Sequence, residues 1–456
     1  MKHIYDNVHK VYTSWSEPLL CIINTPEFQR LKRIKQLGAC HHVFPGATHT
    51  RFEHSLGVGY LARRLVHTLQ QNQPELGIHD ETMLTFQIAG LCHDLGHGPM
   101  SHAFDDFLKS IYATDDVLWV DHEVRSVHML KHIVQKYNVP ISPQTLENAC
   151  ELIHPIKHTL PRWWYQVIAN HEDNIDVDKF DYLLRDTMMT GVMCQDIDIN
   201  RFIDYARVCH VHNGDGRSDM VLSYPQKLQF DVHQLFLTRH RLHTQVYQHP
   251  TVRGFEFMYK DMLLEMKGVL ENSICNDTTK IEWLMEWDDS IFTRLHIQML
   301  EQTRQLETIP SNHVQNLLAN IDHRNHYTLV KDVRLDLTGK TPESVLHKTT
   351  CDTIHTQYFR HISGNEWRET WFTDKVNIGY KTNPFYRVHF YTRVHKDNAQ
   401  TLNQKDASVM FPVHSRDCYV RVYKKQKKNS DCATANEDRS VHNTLHCHFI
   451  NIYKNR

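Results

Sequence analysis

Residues 84–98 put an imidazole and a carboxylate at the end of an otherwise apolar helix, and few folds accommodate that. Leu84, Ile88, Leu91 and Leu95 recur at i, i+4, i+7 and i+11, the spacing of one helical face. Asp80 stands where the N-cap belongs, and Gly96 stands just past the end. The run Leu91-Cys92-His93-Asp94-Leu95-Gly96-His97-Gly98 then carries His93 and Asp94 into apolar surroundings. Such a pair is costly to bury unless it is hydrogen-bonded or holds a metal. A second dipeptide, His79-Asp80, opens the same helix, and capping alone explains it.

From about residue 18 to 325 the chain reads as helices joined by short loops. Thr50-Arg51-Phe52-Glu53 has the capping-box pattern. Another helix is predicted over residues 177–190, ending at Gly191, and one over residues 232–249, stopped by Pro250. Beyond residue 327 the texture changes: residues 327–337 and 385–394 alternate and are rich in β-branched and aromatic residues, as strands are. Gly339, Gly364 and Gly379 punctuate this part. The expected organisation is one helical domain over residues 1–325 and a smaller α+β lobe over residues 326–456. That lobe ends in a polar tail with the basic run Lys424-Lys425-Gln426-Lys427-Lys428, read as a solvated loop.

Composition excludes several classes. The 456 residues carry a formal charge of −2, so a dedicated nucleic-acid-coating protein is not expected. No apolar run approaches the ~18–20 residues that span a bilayer. The first residues lack the apolar core of a secretory signal, so a cytoplasmic or nuclear protein is expected. The 11 cysteines contain no CxxC pair, which argues for reduced thiols rather than a disulfide frame or zinc ribbon. Histidine is abundant, at 36 residues, so only constellations carry weight.

One constellation does. Arg51 and His54 lie three apart on one helical face. Residues 176–182 open a helix with Asp176, Asp178 and Asp181. The order His, His-Asp, Asp supplies imidazoles and carboxylates suited to a six-coordinate divalent cation. Mixed nitrogen and oxygen donors favour Fe, Mn, Co, Ni or Mg over tetrahedral Zn, with Zn kept in the set. Arg239, His243 and Tyr247 stand at i, i+4 and i+8 and form one polar stripe. Tyr182 and Asp186 share a face with Asp178 in the same way.

Residues 18–325 resemble the HD domain of the SAM-and-HD-domain deoxynucleoside triphosphate triphosphohydrolases. The resemblance is carried by Thr25-Pro26, Phe28-Gln29-Arg30-Leu31, Ile34-Lys35-Gln36-Leu37-Gly38, Val43-Phe44-Pro45-Gly46-Ala47, Arg51-Phe52-Glu53-His54-Ser55-Leu56-Gly57, Ile88 to Pro99, and Ile175-Asp176-Val177-Asp178-Lys179, in that order. It implies a mainly α protein, an HD-domain helical core with a smaller α+β C-terminal lobe. No sterile-alpha-motif domain is expected in this chain, and the last 130 residues or so resemble the family only loosely. The implied reaction is attack of water on the α-phosphorus of a dNTP, releasing deoxynucleoside and intact triphosphate.

By the same resemblance His54, His93, Asp94 and Asp178 are the metal ligands. His97, His102 and His122 are catalytic histidines, with Asp105 and Glu123 as carboxylate partners. His102 is the expected general acid, its pKa raised and its tautomer fixed by Asp105. Arg51, Lys179 and Arg239 would hold the triphosphate. Gln36 and Asp186 would grip the 3′-hydroxyl, and Leu37 and Tyr247 would crowd the 2′ position. His243 and Gln248 would reach the base, and Tyr182 would line the pocket. Dimers and nucleotide-linked tetramers are the implied assemblies. Lower dNTP pools would restrain DNA synthesis, that of an invader included.

The regulatory positions depart from the family. Where an aspartate reads guanine, this chain has Asn24, whose amide replaces one acceptor by a donor. Lys32 replaces an arginine and loses its planar, bidentate reach. The family's Asn-Asp-Pro-Ile-His-Gly segment reads Tyr5-Asp6-Asn7-Val8-His9-Lys10, Pro250 replaces a lysine, and the basic clamp is not evident around Lys396–Lys405. Gln29, Asp198, Arg201 and Lys227 match. Guanine-nucleotide control is therefore expected to be weakened or altered. Two rival readings remain: an HD phosphohydrolase for another nucleotide, and a scaffold with weak catalysis that binds single-stranded nucleic acid or protein.

Overall fold

The computed structural model describes residues 1–112, 118–192, 197–212, 218–265, 280–294, 312–335, 371–380, 382–403 and 416–425. The protein is mainly α, with a smaller α+β region. A β-hairpin comes first, β1 (Lys2–Asp6) and β2 (Val11–Trp15), antiparallel with Tyr5 opposite Tyr12. Short helices α1 (Leu19–Ile23) and α2 (Pro26–Gln29) lead to α3 (Arg51–Asn72), which packs against α4 (Asp80–Cys92). Then follow α5 (His102–Ile111), α6 (His122–Lys136), α7 (Pro143–Ile153), α8 (Arg162–Ile168), α9 (Val177–Thr190) and α10 (Ile199–Tyr205).

The α3 start is the expected capping box: the Glu53 carboxylate accepts from the Thr50 N–H at 3.0 Å. The approach of α3 to α4 is set by facing glycines. A methyl on Gly90 would stand 3.3 Å from the Gly59 Cα and 3.1 Å from the Val58 carbonyl oxygen. Helix α9 has the expected bounds. Asp176 caps it by accepting from the Lys179 N–H at 2.9 Å, and Gly191 ends it at φ 70°. These contacts bring the start of α3, the end of α4 and the start of α9 together.

Several expectations are corrected. Helix α4 is not buried on one face alone, because every residue from Thr85 to Cys92 is buried. Helices α3, α6, α7 and α8 surround it, and its N-cap is His79 rather than Asp80. The helix expected over residues 232–249 is α11 (Gln229–Leu242), followed by a wider turn over His243–Tyr247. Pro250 does not stop it but opens the next helix, α12 (Pro250–Glu265), where a missing N–H costs nothing.

The strands form two further sheets. β3 (Arg207–His212) and β4 (Ser218–Pro225) are antiparallel neighbours. Helices α13 (Lys280–Glu286) and α14 (Asn312–Asp322) precede β5 (Thr328–Arg334) and β6 (Trp371–Gly379). Residues 385–394 are not a single strand. A tight helical turn, Pro384–Arg387, precedes β7 (His389–Tyr391), which pairs in parallel with β4 and antiparallel with β8 (Ala399–Thr401). Strand β9 (Arg416–Lys424) lies between β5 and β6. Gly339, Gly364, Lys405 and the tail beyond Lys425 lie outside the described residues. Among the described residues no helix is long and apolar enough to cross a membrane. Six cysteines there are free thiols, from Cys21 to Cys418.

The loop into α9 carries a buried acid of its own. Asp173 is 1% exposed and accepts from Asn170 Nδ2 at 2.6 Å and from the Ile175 N–H at 3.0 Å. Burial raises its pKa to about 8. The folded protein then keeps a proton that the unfolded chain loses near pH 4. Stability from this group is present below pH 4 and is lost as pH rises toward 8. Asp173→Asn keeps the acceptor and removes the charge. Its melting temperature is expected to exceed that of the parent at pH 8 and to converge with it near pH 4. Parallel melting curves over that range would contradict this.

Candidate active site and metal centre

Two imidazoles and two carboxylates converge where α3, α4 and α9 meet. His54 comes from the first turn of α3, His93 and Asp94 from the end of α4, and Asp178 from the start of α9. His54 Nε2 lies 3.1 Å from Asp178 Oδ1 and 3.4 Å from Asp94 Oδ2. His93 Nε2 lies 3.5 Å from Asp94 Oδ1 and 3.6 Å from Asp178 Oδ1. The other ring nitrogens are committed. His54 Nδ1 meets Asp181 Oδ2 at 2.7 Å, and His93 Nδ1 meets the Gly90 carbonyl at 2.8 Å.

Those commitments fix the chemistry of the centre. An Nδ1 that donates to an oxygen leaves Nε2 as a lone pair in the neutral ring. Two lone pairs then face two carboxylates, an arrangement of acceptors only, which is favourable only with a cation between them. The titration directions agree. Burial disfavours charge on His54, but the carboxylates of Asp178 and Asp181 outweigh it and raise its pKa to about 10. His93 is raised against burial by Asp94 and Asp178. Asp94 and Asp178 are lowered against burial, chiefly by the Arg51 charge for Asp94 and by the hydrogen bond to His54 for Asp178. A proton takes the place that a divalent ion suits better, and His54, His93 and Asp178 can each offer it a ligand atom, with Asp94 alongside.

A second group of imidazoles adjoins this centre. His97 is buried, with Nε2 3.3 Å from Asp94 Oδ1. Its ring stacks on His122 at 4.0 Å and meets His102 edge-on at 5.1 Å. The Asp105 partner differs from the expectation. Asp105 accepts from His122 Nδ1 at 2.9 Å and also holds Arg125, while His102 Nδ1 stands 4.0 Å away. Asp105 therefore fixes His122 instead. Glu123 is peripheral, 3.7 Å from His122 Nδ1. The His102 side chain is 74% open to the cleft. The surrounding protein, then the Arg51 and His122 charges, still hold its pKa down, to about 4, and not up as expected.

The cationic residues are grouped around the same imidazoles. Arg51 donates to Asp94 and, through Nε, to Ser101 Oγ at 2.9 Å. Lys179 Nζ lies 2.7 Å from Asp176. Arg239 stacks 4.5 Å over the Tyr380 ring and stands beside Tyr182. Burial and the Arg239 and His102 charges hold His243 well below the ordinary histidine range.

Deeper in, Tyr247 donates to Asp186 Oδ2 at 2.6 Å, and His49 Nε2 meets the other oxygen at 2.8 Å. Gln36 adjoins this group through its N–H, which donates to the His49 carbonyl at 3.0 Å. Leu37 is half-buried next to it, and the Gln248 carbonyl accepts from Arg421 of β9. Gln36 Oε1, His97 Nδ1 and Arg239 Nε are buried with no hydrogen-bond partner among the described residues. Water, an ion or a ligand ordinarily completes such buried polar atoms.

The HD-domain family matches residues 51–186, the stretch that holds all four converging residues. The chain is 31% identical to the deoxynucleoside triphosphate triphosphohydrolase SAMHD1 of Mus musculus, over 95% of this chain and 70% of the relative. The chain belongs to the SAMHD1 family. The human SAMHD1 is also 31% identical, over 93% of this chain and 71% of the relative. A putative HD domain-containing protein of Acanthamoeba polyphaga mimivirus is 29% identical, over 93% of this chain and 92% of its own length. Membership in the SAMHD1 family, with the His and Asp groups, points to a divalent metal.

The regulatory positions fall in two places. Asn24 is exposed at the end of α1, Gln29 Nε2 donates to the Ile23 carbonyl at 2.7 Å, and Lys32 lies 4.5 Å over Phe52. Asp198 caps α10, Arg201 pairs with Asp231 of α11 at 2.7 Å, and Lys227 lies 3.5 Å over Tyr205. A cleft of about 610 Å³ beside them is lined by Tyr205, Arg207, Lys227, Tyr391, Arg393 and Lys396 and shares no residue with the centre above. Sequence reasoning missed His49, Asp181 and Arg125. Each acts through a contact more than fifteen positions away in sequence, which no spacing rule reports.

Proposed function

We propose that this protein hydrolyses deoxynucleoside triphosphates to deoxynucleoside and inorganic triphosphate. The observation that carries the reading is the acceptor-only convergence of His54, His93, Asp94 and Asp178, with Arg51, Lys179 and Arg239 grouped near it. Those four residues would hold the divalent ion, which supplies Lewis-acid polarisation of a phosphoryl oxygen and acidifies water. Fe, Mn, Mg and Zn all suit the donor set.

Arg51, Lys179 and Arg239 bind the triphosphate and neutralise its charge. The oxygen of water bonds to the α-phosphorus as one of its protons passes to solvent, and the bond to O5′ breaks with its electron pair on oxygen. That oxygen takes a proton from His102. The surrounding protein and the Arg51 and His122 charges hold the His102 pKa down. Bound polyphosphate reverses the local field, pairs with Arg51 and raises the imidazole toward the range where it can donate. His122, oriented by Asp105, and His97 keep the donor in place, with Glu123 at the rim.

Gln36 and the Asp186 carboxylate receive the 3′-hydroxyl. Tyr247, tied to Asp186, and Leu37 close the 2′ side, so a ribonucleotide meets a wall. Tyr182, His243 and Gln248 line the rest of the pocket. The protein works as a homo-oligomer in cytoplasm or nucleus and lowers dNTP pools. An antiviral role follows from pool depletion.

Guanine-nucleotide control is weakened or altered. Asn24 and Lys32 change the guanine-reading surface, and Arg201 is already engaged by Asp231. Purified protein with Mn²⁺ and dATP is expected to turn over at a rate within about twofold with or without GTP, and to leave ATP intact. Strict GTP dependence would overturn the regulatory reading. Equal turnover of ATP and dATP would overturn the sugar pocket.

A further inference from the structure

The first fifteen residues reach the metal centre by a continuous line of buried hydrogen bonds. At the tip of the β1–β2 hairpin, Asp6 Oδ1 accepts from the N–H groups of Val8 at 2.8 Å and His9 at 3.0 Å, which shapes the turn. His9 Nε2 meets Asp181 Oδ1 at 2.7 Å. Asp181 Oδ2 meets His54 Nδ1 at 2.7 Å. Arg185 closes the arrangement: its Nε and Nη2 each donate to Asp181 at 2.8 Å, and Nη2 also reaches Asp6 Oδ2 at 2.8 Å. The His9 side chain is 4% exposed and that of Asp181 is 0% exposed.

Each donor has a separate place on Asp181, so both oxygens are fully occupied. The carboxylate is therefore fixed in rotation. A carboxylate acceptor fixed at Nδ1 makes that nitrogen the donor and turns Nε2 toward Asp94 and Asp178. Asp6, His9 and Asp181 also form a group with metal-ligand spacing. The Arg185 guanidinium already supplies the positive charge there, so this group is support and not a second ion site.

The fold makes room for this line. Gly57 lies one turn beyond His54 on α3, and a methyl added to it would stand 1.9 Å from Asp181 Oδ1 and 2.6 Å from Arg185 Nη2. The hairpin is anchored against the same helix, because a methyl on Gly59 would stand 3.2 Å from the ring of Trp15, itself 1% exposed.

We propose that His9 is a positioning residue for the metal centre, acting through Asp181 to set the tautomer and orientation of His54. The inference rests on the reading that His54, His93, Asp94 and Asp178 hold a divalent cation. Groups that orient metal-bound histidines typically contribute about 10–100-fold to affinity.

The test measures Mn²⁺ affinity directly, by electron paramagnetic resonance titration of free ion, in the full chain. His9→Ala and Gly57→Ala attack the same link from its two sides. Each is expected to weaken Mn²⁺ binding at least about tenfold. Circular dichroism and gel filtration show whether the fold is kept, and either folded variant suffices. Glycine to alanine inside a helix ordinarily stabilises it, so a loss in Gly57→Ala reports the displaced carboxylate. Affinity within twofold of the parent in a folded variant overturns the proposal. Failure of the metal reading looks different: parent affinity that His93→Ala leaves unchanged would overturn that reading and this proposal together.

Discussion

His93→Ala is expected to abolish dNTP hydrolysis and to remove the gain in melting temperature that Mn²⁺ gives the parent. The two halves of this result have one cause. His93 holds only the Gly90 carbonyl through Nδ1, and its Nε2 faces the carboxylates of Asp94 and Asp178. Without a cation, a proton on that nitrogen pairs with the carboxylates, so its removal costs the metal-free fold stability. With a cation it is a ligand, so its removal opens the coordination sphere. Colorimetric phosphate release coupled to a triphosphatase, run beside thermal melts with and without Mn²⁺, separates the halves. The parent should gain melting temperature with Mn²⁺, and the variant should not. A variant that gains as much melting temperature from Mn²⁺ as its parent would mean that His93 is not a ligand.

His102→Ala is expected to lower kcat by about 10²–10⁴, the usual contribution of a placed acid. The side chain is 74% open to the cleft, so folding should be unaffected. The loss should depend on the leaving group. A deoxyribose 5′-oxygen needs a proton, whereas nitrophenolate leaves without one. With p-nitrophenyl triphosphate the same variant should lose less than about tenfold. Equal losses on both substrates would assign His102 to triphosphate binding instead. His122 would then be the better candidate for the acid, since Asp105 is bonded to it.

Local signals read well from the sequence, and through-space ones did not. Helix α9 was legible to the residue because its cap, Asp176, and its stop, Gly191, lie within the segment itself. The α3 start was legible for the same reason. Pro250 carried a local signal that fits two structures, since proline both ends a helix and begins one. The wide turn over His243–Tyr247 has no sequence signature of its own. Helix α4 misled because Thr85, Gln87 and Gly90 are buried by neighbouring helices rather than by their own character. The segment around β7 read as one strand. Its partner β4 lies more than 150 positions earlier, and only the three residues His389–Tyr391 pair.

The candidate site divides in the same way. His54, His93, Asp94 and Asp178 stood out because imidazoles and carboxylates in that order within helical ends are hard to explain otherwise. The partners that fix their roles were not visible. Asp105 was matched to His102 through the resemblance, whereas the fold turns it toward His122 and Arg125. His49 sits in a loop without periodicity, and its value lies in one contact to Asp186.

The central claim is that water cleaves dNTPs at the α-phosphorus to release intact triphosphate. Incubating the protein with dATP and Mn²⁺ in ¹⁸O-water, then resolving products by phosphorus NMR and mass spectrometry, tests it most directly. The account predicts unlabelled deoxyadenosine and inorganic triphosphate carrying one ¹⁸O at a terminal phosphate. Label in the deoxyadenosine, dAMP with pyrophosphate, dADP with phosphate, or no turnover with any of the four metals, would contradict it.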